Sequence, residues 1–246
     1  MNEKNKKTSE AGSLVSVKKL FIDSWRIYVL KLSDFVEMYL RGLIGAIPML
    51  ILGLLGALLF YWLGFNWWPL YVLFGLLGLA AVAWAIYYGV RSKIGLILIL
   101  ENKEKSAREN FLDSKNFFFA YFAVSLLTGI IIFLSFLLLI IPGVILSVIW
   151  SMAALSVVLE NKSTFGAAVK RSRELVKGYW WPVFGRFLAI GVLAFFVSLV
   201  MNIPVASLNE IGKQAYTFVV NVFWALISPL FLTYSYLLHK DLASKK

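Results

Sequence analysis

The feature that most constrains this chain is the grouping of its apolar residues into six long blocks. A bilayer core about 30 Å thick takes about 20 consecutive apolar residues per helix, and in lipid the backbone must satisfy its own hydrogen bonds. Blocks of that kind cover 41–63, 69–90 (alternatively 69–100), 117–141, 144–159, 181–201 and 218–238. They predict an all-α fold, a polytopic membrane bundle of six transmembrane helices. The chain is 61% hydrophobic and 15% charged, against roughly 45–50% apolar and about 25% charged in soluble domains. The polar stretch 1–13 precedes any apolar run, so the first span is expected to be retained and not cleaved as a signal peptide.

The connections alternate in charge. Segments 64–68 and 142–143 carry none, and 202–217 carries Glu210 and Lys213 alone. The other side holds Lys4, Lys6, Lys7, Lys18, Lys19, Arg26 and Lys31, then Lys103, Lys105, Arg108 and Lys115, then Lys162, Lys170, Arg171, Arg173 and Lys177, and finally Lys240, Lys245 and Lys246. By the positive-inside rule that side is cytoplasmic, and both ends of the chain are expected there. The formal charge of +11 is thus a topology signal spread over short loops. It forms no continuous basic face, and no nucleic-acid partner is expected. Tyr61, Trp62, Trp67 and Trp68 fit one membrane boundary, and Tyr179, Trp180 and Trp181 the other, because amphipathic rings favour the headgroup level.

Each basic segment also reads as an amphipathic helix. Val17, Leu20, Phe21, Ser24 and Tyr28 share a face opposite Lys18, Lys19, Asp23 and Arg26. Phe165, Ala168, Val169, Ser172, Leu175 and Val176 repeat the spacing against Lys170, Arg171, Arg173, Glu174 and Lys177, with Gly178 as a left-handed stop. A shorter middle copy opens on a capping box, Ser106 with Glu109. Glu101-Asn102-Lys103 and Glu160-Asn161-Lys162 each end an apolar run and begin such a segment. The chain therefore reads as a polar tail over 1–13, expected to be disordered, and a single six-span membrane domain over 14–242, followed by a short tail over 243–246. The domain divides into three helical hairpins, each preceded by a cytoplasmic amphipathic helix, with repeats at about 14–101, 102–160 and 161–242.

Several residues break the apolar pattern. Arg91 and Lys93 interrupt the run from Leu70 to Leu100; either the second span continues with Arg91 buried, or both side chains snorkel to the headgroups. Glu37 and Arg41, four apart at the entry of the first span, suit an intrahelical ion pair. Arg186, one turn into the fifth span, either snorkels or meets an anionic headgroup or an acid such as Glu37. These five are the candidate intramembrane or lipid-binding residues. Ser228-Pro229 either kinks the sixth span or frees a carbonyl for a ligand, and Asn221 is the clearest uncharged polar residue within it. Gly42 with Ala46, and Gly53 with Ala57, have the small-xxx-small spacing that lets helices approach closely. His239 is read as solvated at the end of the last span.

The sequence names no catalytic residue. It has no cysteine and one histidine, so neither a metal site nor another cofactor is expected. Walker, nucleophile-elbow and HExxH motifs do not occur.

The run Ile141-Pro142-Gly143-Val144, the stretch Val157-Val158-Leu159-Glu160, the amphipathic 167–177 and the ending Tyr234-Ser235-Tyr236-Leu237-Leu238-His239-Lys240-Asp241-Leu242 together resemble the membrane domain attached to some glycerophosphoryl diester phosphodiesterases. The likeness covers nearly the whole chain. That domain also occurs alone in many prokaryotic proteins, so the resemblance implies a six-span bundle in a prokaryotic plasma membrane, sometimes tethering an enzyme. The catalytic phosphodiesterase domain, a barrel of about 250 residues, has no room here. The expected function is a non-enzymatic scaffold or anchoring factor that meets anionic membrane lipids and membrane-protein partners. The alternative is a small-solute or lipid transporter that uses the intramembrane basic residues. An intramembrane enzyme ranks behind both, because the spans hold no acid and histidine pair to move protons.

Overall fold

A computed structural model describes residues 14–62, 64, 67–102, 104–204 and 209–246. The tail at 1–13, Lys103 and part of the 202–217 connection lie outside the described residues. The described chain is helical, without strands. In order come α1 (Val17–Leu30), α2 (Leu32–Leu43), a 3₁₀ turn (Ile44–Ala46), α3 (Ile47–Gly56), a π turn (Ala57–Trp62), α4 (Trp68–Glu101), α5 (Ala107–Asp113), a 3₁₀ turn (Ser114–Phe117) and α6 (Phe118–Leu138). Then follow α7 (Ile140–Ile149), α8 (Ala153–Leu159), α9 (Phe165–Val176), α10 (Trp180–Asn202) and α11 (Glu210–Ala243).

Six helical stretches are long and apolar enough to cross a membrane: Leu32–Tyr61, Trp68–Glu101, Ala107–Leu138, Ile140–Leu159, Trp180–Asn202 and Glu210–Ala243. Their outer surfaces are rich in exposed leucine, isoleucine, valine and phenylalanine, among them Leu54, Leu79, Phe133, Leu138, Val200 and Phe218. Water would penalise such a surface by about 25 cal/mol per Å²; a bilayer does not. The stretches are therefore compatible with an integral, multi-pass membrane protein.

Contacts group the chain into two compact units. One comprises Leu32–Phe122. Here α4 packs against α2, α3 and α5. The seam that α2 and the 3₁₀ turn after it make with α4 relies on small residues: a side chain at Gly42 would meet Ser92 Oγ at 2.8 Å, one at Gly45 would meet Tyr88 Cβ at 2.8 Å, and one at Gly95 would meet Met38 Sδ at 2.6 Å. Close approach explains the glycines. Gly53, by contrast, has nothing within 4 Å, so packing does not account for it. At 1.5 Å per residue the 34 residues of α4 rise about 51 Å, some 20 Å more than a bilayer core. Its character changes accordingly. Most large apolar side chains from Trp68 to Ile86 are exposed, whereas residues 94–100 are all buried.

The other unit joins the segment up to Lys31 to Ala123–Lys246. In it α1 lies on α11, α9 lies on α7, α8 and α11, and α10 meets α7. The break before α7 falls at Leu139, in extended conformation (φ −154°, ψ 133°), three residues earlier than the Pro142-Gly143 turn expected from sequence. Pro142 sits in the first turn of α7, where a missing N–H costs nothing. Gly143 is needed for space, since a Cβ there would lie 2.5 Å from the Phe136 ring.

One local pattern recurs three times. Ser16, Ser106 and Thr164 each cap a short helix by accepting from a backbone N–H three residues on, as N-cap hydroxyls do. Eight residues after each cap stands a serine with no exposed surface: Ser24, Ser114 and Ser172.

Candidate functional site

The second apolar segment does not end at Val90. The α4 helix runs unbroken through Arg91 to Glu101, and Arg91 is only 8% exposed. Its Nη2 donates to the Phe111 carbonyl at 2.6 Å, Nε to Ser114 Oγ at 3.1 Å and Nη1 to the Tyr87 hydroxyl at 3.2 Å. The guanidinium carbon lies 4.2 Å from the centroid of the Phe111 ring and 5.2 Å from that of Tyr87. A buried cation is costly unless its donors are satisfied. Here three acceptors and two rings do that, and every acceptor is neutral. Because α4 outruns a bilayer core, Arg91 can be enclosed by protein and still lie near headgroup level. The side chain ties α4 to α5, the short helix whose capping box is complete: Glu109 N–H donates to Ser106 Oγ, and Glu109 Oε2 accepts from Ser106 N–H at 2.8 Å. Beside it, the Asp113 carboxylate at 2.7 Å holds the Lys105 ammonium above its ordinary value.

The remaining candidates in this unit are local. Lys93 is exposed. Arg41 donates through Nε and Nη2 to Glu37 Oε1 at 3.0 and 2.5 Å, the pair expected from the spacing. Both side chains are partly exposed, so the pair is worth a few tenths of a kcal/mol.

In the other unit Arg186, also 8% exposed, again serves backbone carbonyls. Nη1 donates to Pro182 O at 2.9 Å and Nη2 to Val15 O. The N–H of the same Val15 donates to Asp241 Oδ2 at 2.7 Å. An arginine of α10 and an aspartate of α11 thus hold both backbone groups of one residue just before α1. The Tyr28 hydroxyl, farther along α1, donates to Leu226 O at 3.0 Å. One turn ahead of Pro229, the Ala225 carbonyl, whose helical partner proline removes, accepts from Ser228 Oγ at 3.1 Å. The freed carbonyl is thus satisfied within the helix. Asn221 is exposed.

Two features were not read from the sequence. The fourth segment is broken at 150–152, between α7 and α8, with neither proline nor glycine at the break. Ser172 of α9 fills it: its Oγ donates to Ile149 O at 2.7 Å and accepts from Met152 N–H at 3.1 Å, supplying two of the groups that the interrupted ladder leaves over. The second is His239, which is 1% exposed, not solvated as expected. Its burial follows from residues far away in sequence. Nε2 lies 3.3 Å from Ser156 Oγ and 3.5 Å from Glu160 Oε1. With Ser156 Oγ donating to Met152 O at 3.0 Å, the hydroxyl and the carboxylate both offer lone pairs toward Nε2. Both oxygens face the same ring nitrogen. A nucleophilic triad needs serine and acid on opposite nitrogens, and this cluster does not provide it.

Glu160 Oε2 accepts from Arg171 Nε at 2.5 Å, and Arg171 Nη1 lies 3.9 Å from Glu174. Asn161, at φ 53°, turns the chain in the left-handed conformation that asparagine tolerates, bringing Lys162 N–H back to Ser156 O at 3.2 Å. Beside the ion pair opens a polar pocket of about 530 Å³ lined by Glu160, Lys162, Ala167, Lys170, Arg171 and Glu174. Among the described residues, no group of three or more His, Cys, Asp or Glu could hold a metal ion.

Compared with known proteins, the chain matches no family model, no curated protein and no solved structure.

Proposed function

We propose that this protein is a non-enzymatic membrane scaffold or anchoring factor. In this reading three helical hairpins are each introduced by a short cytoplasmic helix, α1, α5 or α9, and the two basic ones, α1 and α9, rest on anionic headgroups. The observation that carries the proposal is the use made of the two buried arginines. Arg91 and Arg186 serve backbone carbonyls of α5 and of the segment leading into α1, and so fix α5 and the entry to α1 to the spans that carry the arginines. The recurring cap and buried serine support a threefold internal repeat, and the resemblance to the phosphodiesterase-associated membrane domain agrees with a scaffold that takes its partners from outside.

A transporter would instead set those arginines in a wet cavity as anion ligands. Charges spent on internal carbonyls suit the scaffold better.

Two measurements test the proposal. The chain has no cysteine, so single cysteines report topology cleanly: an impermeant maleimide applied to intact cells should label Trp67→Cys and spare Ser244→Cys. In native mass spectrometry the protein should retain phosphatidylglycerol over phosphatidylcholine. Labelling of Ser244→Cys from outside, or equal retention of the two lipids, overturns the reading.

A further inference from the structure

The pocket beside Glu160 has a composition that the scaffold role does not require. Two of its cations, Lys162 and Lys170, form no ion pair among the described residues, although both line the same polar hollow as two carboxylates. Lys170 has Glu174 four residues on, but lysine preceding glutamate is the weaker helical order, and no bond forms. Arg171 is already committed to Glu160. The floor is held from behind, since the second oxygen of Glu160 faces buried His239 and the residue caps α8. Glu174 keeps a half-exposed carboxylate, 3.9 Å from Arg171 Nη1. The wall includes Ala167, whose small side chain leaves the space open.

Two free ammonium groups with a fixed ion pair and an accessible carboxylate beside them make an amphoteric site. A simple anion would use the lysines and be repelled by Glu174; a simple cation would meet three positive side chains. A ligand with a phosphate at one end and an amine at the other satisfies both halves through charge-assisted hydrogen bonds. We infer that this pocket binds a phosphoethanolamine group, with the phosphate between Lys162 and Lys170 and the ammonium on Glu174. The volume, about 530 Å³, is within the range of small-ligand sites. The group could arrive as a phosphatidylethanolamine headgroup or as a free phosphoethanolamine, and the lipid form rests on the membrane reading above.

The test uses the full chain in a mild detergent. Native mass spectrometry compares retention of phosphatidylethanolamine with phosphatidylcholine, whose quaternary amine cannot donate to Glu174, and calorimetry titrates soluble phosphoethanolamine. Lys162→Gln/Lys170→Gln should weaken binding by about tenfold or more, one charge-assisted bond being worth at least about 1.4 kcal/mol. Glu174→Gln should erase the preference for ethanolamine over choline. Ala167→Leu should block the pocket with every charge in place, and each variant should melt as the wild type does. Retention of the lipid without calorimetric binding identifies the headgroup as ligand; binding of the soluble compound identifies the free ester. If the wild type shows neither, or if the double variant melts normally and binds undiminished, the inference falls. Phosphatidylglycerol retention separates the two proposals: if it persists while ethanolamine recognition is absent, the pocket assignment fails and the scaffold reading stands.

Discussion

The three buried serines occupy corresponding positions, yet their surroundings predict three different costs on conversion to alanine. Ser172→Ala strands the buried Met152 N–H and the partly buried Ile149 C=O. At about 1–3 kcal/mol for an unsatisfied buried group, with the partly exposed carbonyl at the low end, the loss should be about 3 kcal/mol. For a chain of this size 1 kcal/mol shifts the melting temperature by about 2–4 °C, so a drop of about 6–12 °C is expected. Ser114→Ala removes one acceptor of the Arg91 guanidinium, while the bonds to Phe111 O and Tyr87 and both ring contacts remain; about 1.5 kcal/mol is expected. Ser24 Oγ donates at 2.7 Å to Leu20 O of its own helix, a carbonyl that keeps its ladder bond, and alanine is the better helix former. Its replacement should be close to neutral. Thermal unfolding in detergent, followed by far-ultraviolet circular dichroism, gives the order Ser172, Ser114, Ser24. Three equal losses, or a Ser172→Ala protein within 1 kcal/mol of wild type, would refute the account of the break.

Arg91→Lys should destabilise by about 2 kcal/mol or more and recover no more stability than Arg91→Met, because one ammonium cannot reach three acceptors or stack on Phe111, and its charge stays buried; full rescue by lysine in the same melts would mean that charge alone matters. Gly45→Leu should cost about 1–3 kcal/mol through overpacking against Tyr88 and the Ala85 backbone, whereas Gly53→Leu, with open space around it, should be neutral or slightly stabilising. Comparable losses at the two glycines would contradict the seam described for α2 and α4.

What could be read from the sequence was what is local or periodic. Six apolar segments announce themselves by length, and the Glu37–Arg41 pair and the Ser106–Glu109 capping box lie within one turn of helix. Sequence could not decide between a buried and a snorkelling Arg91, because an apolar 94–100 suits either a membrane surface or a helix covered on all sides; only the packing of α2 and α5 settles it. His239 was misread for a related reason. Its neighbours Lys240 and Asp241 suggest solvent, while Ser156, which lies against it, is 83 residues away. The break at 150–152 carries no glycine or proline to announce it, and its cause sits in another helix. The serine eight residues beyond each cap was visible in the sequence throughout. Serine on the buried face of a short helix simply looks too ordinary to notice without its partners.

The placement of α1 on α11 has a consequence for biosynthesis. Val15 and the Asp241 that receives its N–H are 226 residues apart, so at about 5–20 residues per second the first short helix waits roughly 10–45 s on the ribosome for its partner to be made. During that interval its apolar face, with Leu20 and Tyr28, has no α11 to cover it. A nascent chain stalled anywhere before the last span would keep that face open, marking it as unfinished to any quality-control factor that reads exposed apolar faces.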